Sequence, residues 1–174
     1  MISVLWRMFF DICCFRKGPQ DLPMSRDILV LTLLVYGFAS FLLALPTQSI
    51  EIAILSGLID ILLLIILCYI LLYLWRKPER WQQATMALSG TGIVFSSAAI
   101  PLFFLQANID QDDPLSLWLL LLVISLLSWN IAVMAHIIRN TLSSSFATGL
   151  LASLFYIWVS TVTITSLIPQ PSTP

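Results

Sequence analysis

The sequence predicts an all-α membrane protein: a polytopic bundle of five transmembrane helices with an N-terminal interfacial amphipathic helix. Three observations lead there. The 174 residues are 59% hydrophobic and only 10% charged, where a soluble domain carries roughly a quarter charged and under half apolar residues. Five apolar runs approach or exceed the ~20 residues needed to cross a hydrocarbon core. All eight Lys and Arg residues fall on one side of a five-span chain. This composition excludes a disordered protein and argues against a soluble enzyme. The net charge of −1 removes the electrostatic basis for nucleic-acid binding.

Residues 1–27 form the first unit, a cytoplasmic segment. Ser3, Arg7 and Asp11 recur every four residues among apolar side chains that include Trp6, Phe9 and Phe10. On a helix this is one narrow polar stripe, with Arg7 and Asp11 placed as an i,i+4 pair. Such a helix is expected to lie at the inner membrane interface, as an anchor or a docking element. Charges interrupt the apolar run and no small-x-small site follows, so cleavage as a signal peptide is not expected.

Residues 28–168 hold the spans, expected at about 28–45, 50–75, 84–106, 115–138 and 142–168. Pro46-Thr47-Gln48-Ser49 closes the first. Arg76-Lys77-Pro78-Glu79-Arg80 follows the second, whose 26 residues reach about 39 Å and predict tilt. Asn108 through Pro114, with Asp110, Asp112 and Asp113, separates the third from the fourth, and Arg139-Asn140 separates the last two. Residues 169–174 make a short external tail. Because cytoplasmic loops retain Lys and Arg, the N-terminus is expected inside and the C-terminus outside. Trp75, Trp81 and Trp118 sit where interfacial anchors belong, while Trp129 and Trp158 are deep enough to fill gaps between helices.

Candidate chemistry centres on Asp60, ten residues into the second span. An acid at mid-depth costs at least about 2.5 kcal/mol on insertion scales and is a functional candidate by default. No Lys or Arg lies at that depth, so Asp60 is expected to be protonated or hydrogen-bonded to other helices, either as a proton- or ion-coupling group or as a structural one. Ala53, Ser56 and Gly57 share its face and invite close approach of another helix. Asn130, in the fourth span, is a second polar candidate and a conditional partner. Small and hydroxyl residues recur at helical spacing in the last three spans: Ser89, Gly92, Ser96 and Ala99; Ser125, Ser128, Ala132 and Ala135; Gly149, Ser153, Tyr156, Ser160 and Thr163. They suit helix packing first and a polar pathway second. Pro101 should bend the third helix and free a carbonyl near Ser97.

Toward the inner boundary, Arg76, Lys77, Arg80, His136 and Arg139, with Arg7, are candidates for an anionic-lipid or partner surface, or for contacts with headgroups and helix-terminal carbonyls. The single histidine and the spacing of Cys13, Cys14 and Cys68 give no metal site, and no phosphate loop, Gly-x-Ser-x-Gly or His-Glu-x-x-His motif occurs. Neither cofactor nor metal is expected. Acylation of Cys13 or Cys14 is an option only in a eukaryotic host.

The stretch Trp129-Asn130-Ile131-Ala132-Val133-Met134-Ala135-His136-Ile137-Ile138-Arg139-Asn140-Thr141-Leu142, followed by Gly149 and a last apolar span, resembles bacterial members of the Yip (Ypt-interacting-protein-like) family. The segment Asp21-Leu22-Pro23-Met24-Ser25 is compatible with it, and the resemblance spans residues 20–168. It implies a small, non-enzymatic five-span protein of a bacterial inner membrane. Eukaryotic relatives bind Rab-type GTPases and carry an acidic-aromatic-Gly-Pro motif. Here Gly18-Pro19 lacks the acidic and aromatic residues before it, so GTPase binding does not carry over. The functional expectation is a subunit or scaffold of a membrane protein assembly, with lipids, other membrane proteins or further copies of itself as partners. The alternative is a small transporter or channel subunit using Asp60.

Overall fold

A computed structural model describes residues 2–110 and 113–167. Asp112, Ile168 and the 169–174 tail lie outside the described residues. Six helices follow one another: α1 (Ile2–Cys13), α2 (Arg26–Ala44), α3 (Ile50–Leu74), α4 (Trp81–Ala107), α5 (Pro114–Leu142) and α6 (Phe146–Leu167). The last five are long and apolar enough to cross a membrane. The chain is an all-α polytopic bundle, and it is an integral membrane protein.

Helix boundaries follow local chemistry. Ser25 opens α2 by accepting from the Ile28 amide, and Asp113 opens α5 by accepting from the Leu115 amide ahead of Pro114. The fourth span runs past its expected end at 138 to Leu142, and the fifth begins at Phe146 rather than 142. Arg139 and Asn140 do not break a helix, and basic side chains from another loop complete its last turn (below).

Three helices end at the basic end of the bundle on a left-handed residue that is not glycine: Phe15 (φ 60°), Arg76 (φ 55°) and Ser143 (φ 53°). At Phe15 and Arg76 the bonds are those of a Schellman turn. Arg16 N–H donates to Asp11 C=O, and Phe15 N–H to Ile12 C=O. Lys77 N–H donates to Leu72 C=O, and Arg76 N–H to Tyr73 C=O. A side chain in this backbone region costs about 1 kcal/mol or more. Arg76→Gly is therefore expected to raise stability by about 1 kcal/mol, read as a higher midpoint of thermal unfolding in mild detergent; an unchanged or lower midpoint would contradict the strain.

Packing centres on α4, which meets α1, α2, α3 and α5, while α6 packs mainly on α5 and touches α3. Two glycines set the closest approaches. A methyl at Gly57 of α3 would stand 2.9 Å from the Gly37 carbonyl oxygen of α2. At Gly149 of α6 it would run into the Ala135 carbonyl oxygen of α5 and stand 3.2 Å from the Arg139 nitrogen. Such small-residue seams let helix backbones approach where no hydrophobic force drives association.

The N-terminal helix differs from a purely interfacial one. Phe9, Ile12 and Cys13 are buried in the main core with Met86, Phe95, Val133 and Ile137, and the Phe9 ring lies over Gly90. Trp129 donates its indole N–H to the Cys13 carbonyl at 3.0 Å and stacks edge-on with Phe95. Trp129 stands ten residues before Arg139, about 15 Å along α5, so α1 is tucked into the basic half of the bundle. The reason is compositional: apolar residues flank the polar stripe on both sides. The face opposite the stripe enters the core, while Val4 on one side of the stripe and Trp6 and Phe10 on the other stay exposed. The expected Arg7–Asp11 pair gives way to Asp11–Lys17 at 3.5 Å, and Arg7 is exposed. Of the tryptophans expected to fill gaps, Trp158 is 62% exposed and fills none. Trp81, expected as an anchor, instead packs against the core with its indole N–H buried and unbonded. Pro101 is accommodated within a continuous α4.

Candidate functional site: a hydroxyl cluster around an intramembrane acid

Asp60 projects from the middle of α3 into a junction of α2, α3 and α6. Close contact at Gly37 and Gly57 brings α2 against α3 one turn away. Ser40 Oγ then reaches Asp60 Oδ2 at 2.7 Å. From α6, Tyr156 donates its hydroxyl to Oδ1 at 3.4 Å. Tyr36, one turn before Ser40, lies alongside both Asp60 and Tyr156, and its ring edge occupies the space beside Gly92 of α4. The small residue at 92 thus makes room for the Tyr36 ring.

Among the described residues, the arrangement offers the carboxylate hydroxyl donors from two other helices and no cation. A buried carboxyl keeps its place in hydrocarbon only where its lone pairs are met. The same geometry can hold a protonated carboxyl, because each hydroxyl can accept as well as donate. The cluster therefore ties three helices together near the middle of α3.

Sequence reasoning placed Asp60 but not its partners. Asn130 is partly buried on α5 and is not among the groups bonded to Asp60. Tyr156 figured only as part of a packing stripe, and Tyr36 and Ser40 were passed over. Their signal was the spacing: two hydroxyl residues four apart in an otherwise apolar run, matching Tyr156 and Ser160 in the last span.

The basic candidates are divided in use. Lys77 Nζ donates to the Leu142 carbonyl at 2.7 Å. Arg80 donates to the Thr141 carbonyl at 2.9 Å, the Asn140 carbonyl at 3.5 Å and the Ser143 hydroxyl at 3.2 Å. These are the final carbonyls of α5, where positive charge is favoured by the helix dipole. His136 Nε2 lies 3.1 Å from the Lys17 carbonyl and 3.0 Å from the Asn140 amide, tying the N-terminal segment to α5. Arg7, Arg76 and Arg139 are exposed and free to meet headgroups. Arg80→Met should lower stability by about 2 kcal/mol, since bonds to charged donors are worth roughly 1.5–3 kcal/mol, whereas Arg139→Met should change little; equal unfolding midpoints in detergent for the two variants would contradict the capping role.

Cys13 is 1% exposed, and burial, with the neighbouring Cys14, pushes its thiol up to about 12. It stays a thiol at any physiological pH and offers no surface for acylation. No group of three or more His, Cys, Asp or Glu gathers into a metal site among the described residues. Compared with protein-family models, curated proteins and solved structures, the chain matches nothing.

Proposed function

We propose that the chain is a non-enzymatic subunit or scaffold of a membrane protein assembly, seated in a bacterial inner membrane with its basic end and N-terminus cytoplasmic. The carrying observation is the outer half of α5. Leu115, Leu117, Trp118, Leu120, Leu121, Leu122, Ile124 and Leu127 are all exposed, so the helix is uncovered nearly all round, with Leu119 turned inward. On this free surface Ser125 and Ser128 are exposed, their hydroxyls bonded back to the Leu121 and Ile124 carbonyls. A face that combines small hydroxyl residues with large apolar ones suits another transmembrane helix. The net positive charge of the basic end and the resemblance to Yip-family proteins support the same reading.

The test is extraction from the native membrane in mild detergent through a C-terminal tag, followed by mass spectrometry. A stoichiometric membrane partner, or a homo-oligomer that dissociates when Ser125 and Ser128 are both replaced by leucine, is the expected result. A monomer without partners would overturn the proposal.

A second reading is favoured by one observation, the Asp60 carboxyl held by the Ser40 and Tyr156 hydroxyls in the middle of an apolar helix. It makes the chain a small transporter or channel subunit in which Asp60 carries the coupling proton or ion.

A further inference from the structure

We propose that the protein binds a phosphate monoester in a polar pocket at its basic end, between the N-terminal segment and the ends of α4 and α5. The pocket encloses about 260 Å³ and is lined by Pro19, Gln20, Arg80, Gln83, Asn140 and Thr141. That volume is just under the roughly 300–1,000 Å³ of drug-sized sites, so it suits a headgroup-sized anion better than a nucleotide. The short turn Pro19–Asp21 brings Gln20, whose side-chain amide lies against Gly18. Gln83 comes from the first turn of α4, where the helix dipole is positive. Its amide donates to the Leu22 carbonyl at 3.0 Å and so ties the N-terminal segment to that turn. Asn140 and Thr141 come from the last turn of α5.

Charge and donor geometry select the ligand. Among the described residues, Arg80 is the one charged group in the lining. Its Nη1 is taken up by the Asn140 and Thr141 carbonyls and the Ser143 hydroxyl. Nε and Nη2 have no protein partner among the described residues, and that edge is a fork able to grip two oxygens of a phosphate. Amides add separate donors. Gln83 keeps one N–H beyond the one given to Leu22, and Asn140 one beyond its contact with His136. The acids nearest in sequence, Asp21 and Glu79, are not in the lining, and Asp21 accepts from the Gly18 amide at 2.8 Å. The carbonyls that end α5, which would repel an anion, are covered by Arg80 and Lys77. A carboxylate has two oxygens for the fork and none for the amides, whereas a phosphate monoester has three. Binding here needs neither a partner protein nor Asp60. The monoester can belong to a lipid headgroup or to a soluble ester, and the experiment separates the two.

In one arm, glycerol 3-phosphate is titrated calorimetrically into the purified protein in phosphatidylcholine nanodiscs, with empty nanodiscs as the baseline. In the other, native mass spectrometry counts the lipid retained from an equimolar mixture of phosphatidate and phosphatidylcholine in mild detergent. Saturable binding of at least one monoester is expected. Binding of glycerol 3-phosphate assigns a soluble ester, and preferential retention of phosphatidate alone assigns a lipid headgroup. Arg80→Lys keeps the charge and a donor for the α5 carbonyls but loses the fork, and should weaken binding roughly tenfold. Gln20→Glu sets a carboxylate at the exposed rim of the pocket and should weaken binding to a similar degree. It keeps the test decisive if the Lys variant does not fold. Absence of binding in both arms, or equal binding by the parent and either variant, would overturn the proposal.

Discussion

Gly149→Leu is expected to abolish the folded bundle, and Gly149→Ala to destabilise it by about 3 kcal/mol, at the upper end of the usual cost of overpacking. The sign is informative, because Gly→Ala within a helix ordinarily stabilises by about 1 kcal/mol. Here the added methyl meets the Ala135 carbonyl and the Arg139 nitrogen, which are backbone atoms of α5. They can yield only if α6 moves away from α5, its main packing partner. Gly90→Ala makes the contrast. Its methyl meets the Phe9 ring, a side chain on the short α1. That variant should release α1 while the five long helices stay assembled. Thermal unfolding in detergent, with size-exclusion chromatography, separates the two. A Gly149→Ala protein as stable as the parent would mean that α5 and α6 are not held at this distance.

The second large effect is at Asp60. Asp60→Leu leaves the hydroxyls of Ser40, Tyr36 and Tyr156 around an apolar group. Ser40 can turn back to a carbonyl of its own helix, as Ser125 and Ser128 do, but a tyrosine hydroxyl cannot reach its own backbone. A loss of about 2 kcal/mol is expected, from roughly 1–3 kcal/mol for a buried polar group left without a partner. Asp60→Asn keeps an acceptor for one hydroxyl and should cost less than about 1 kcal/mol, close to the average of polar contacts between membrane helices. Adding Tyr156→Phe to Asp60→Leu should recover part of the loss, because the stranded hydroxyl is gone. Unfolding midpoints of the four proteins decide it. If Asn proves as damaging as Leu, the ionised carboxylate rather than its hydrogen bonds holds the junction together.

The helices were legible because the bilayer imposes a length and an apolar composition that few sequences meet by chance. The end of the fourth span was less so. Arg139-Asn140 reads as a loop in sequence, and what keeps it helical is the pair Lys77 and Arg80, about sixty residues away along the chain. The first helix shows the same limit. Its polar stripe is plain from Ser3, Arg7 and Asp11, but a stripe does not say whether the apolar face opposite it meets lipid or protein. That depended on Gly90 leaving space for Phe9 and on Trp129 meeting the Cys13 carbonyl. At the candidate site, Asp60 announced itself through the cost of burying an acid. Ser40, Tyr36 and Tyr156 carry little such cost, and their convergence depends on how α2, α3 and α6 cross, which no local pattern encodes.

The most direct test of the five-pass arrangement is cysteine labelling in intact cells with a membrane-impermeant maleimide. Single cysteines replace the exposed Glu79, Asp110 or Ser145 in a chain lacking Cys13, Cys14 and Cys68. Expected is labelling at 110 in intact cells, and at 79 and 145 only after the membrane is permeabilised. Labelling of 110 from the same side as 79 or 145 would contradict the five-pass bundle.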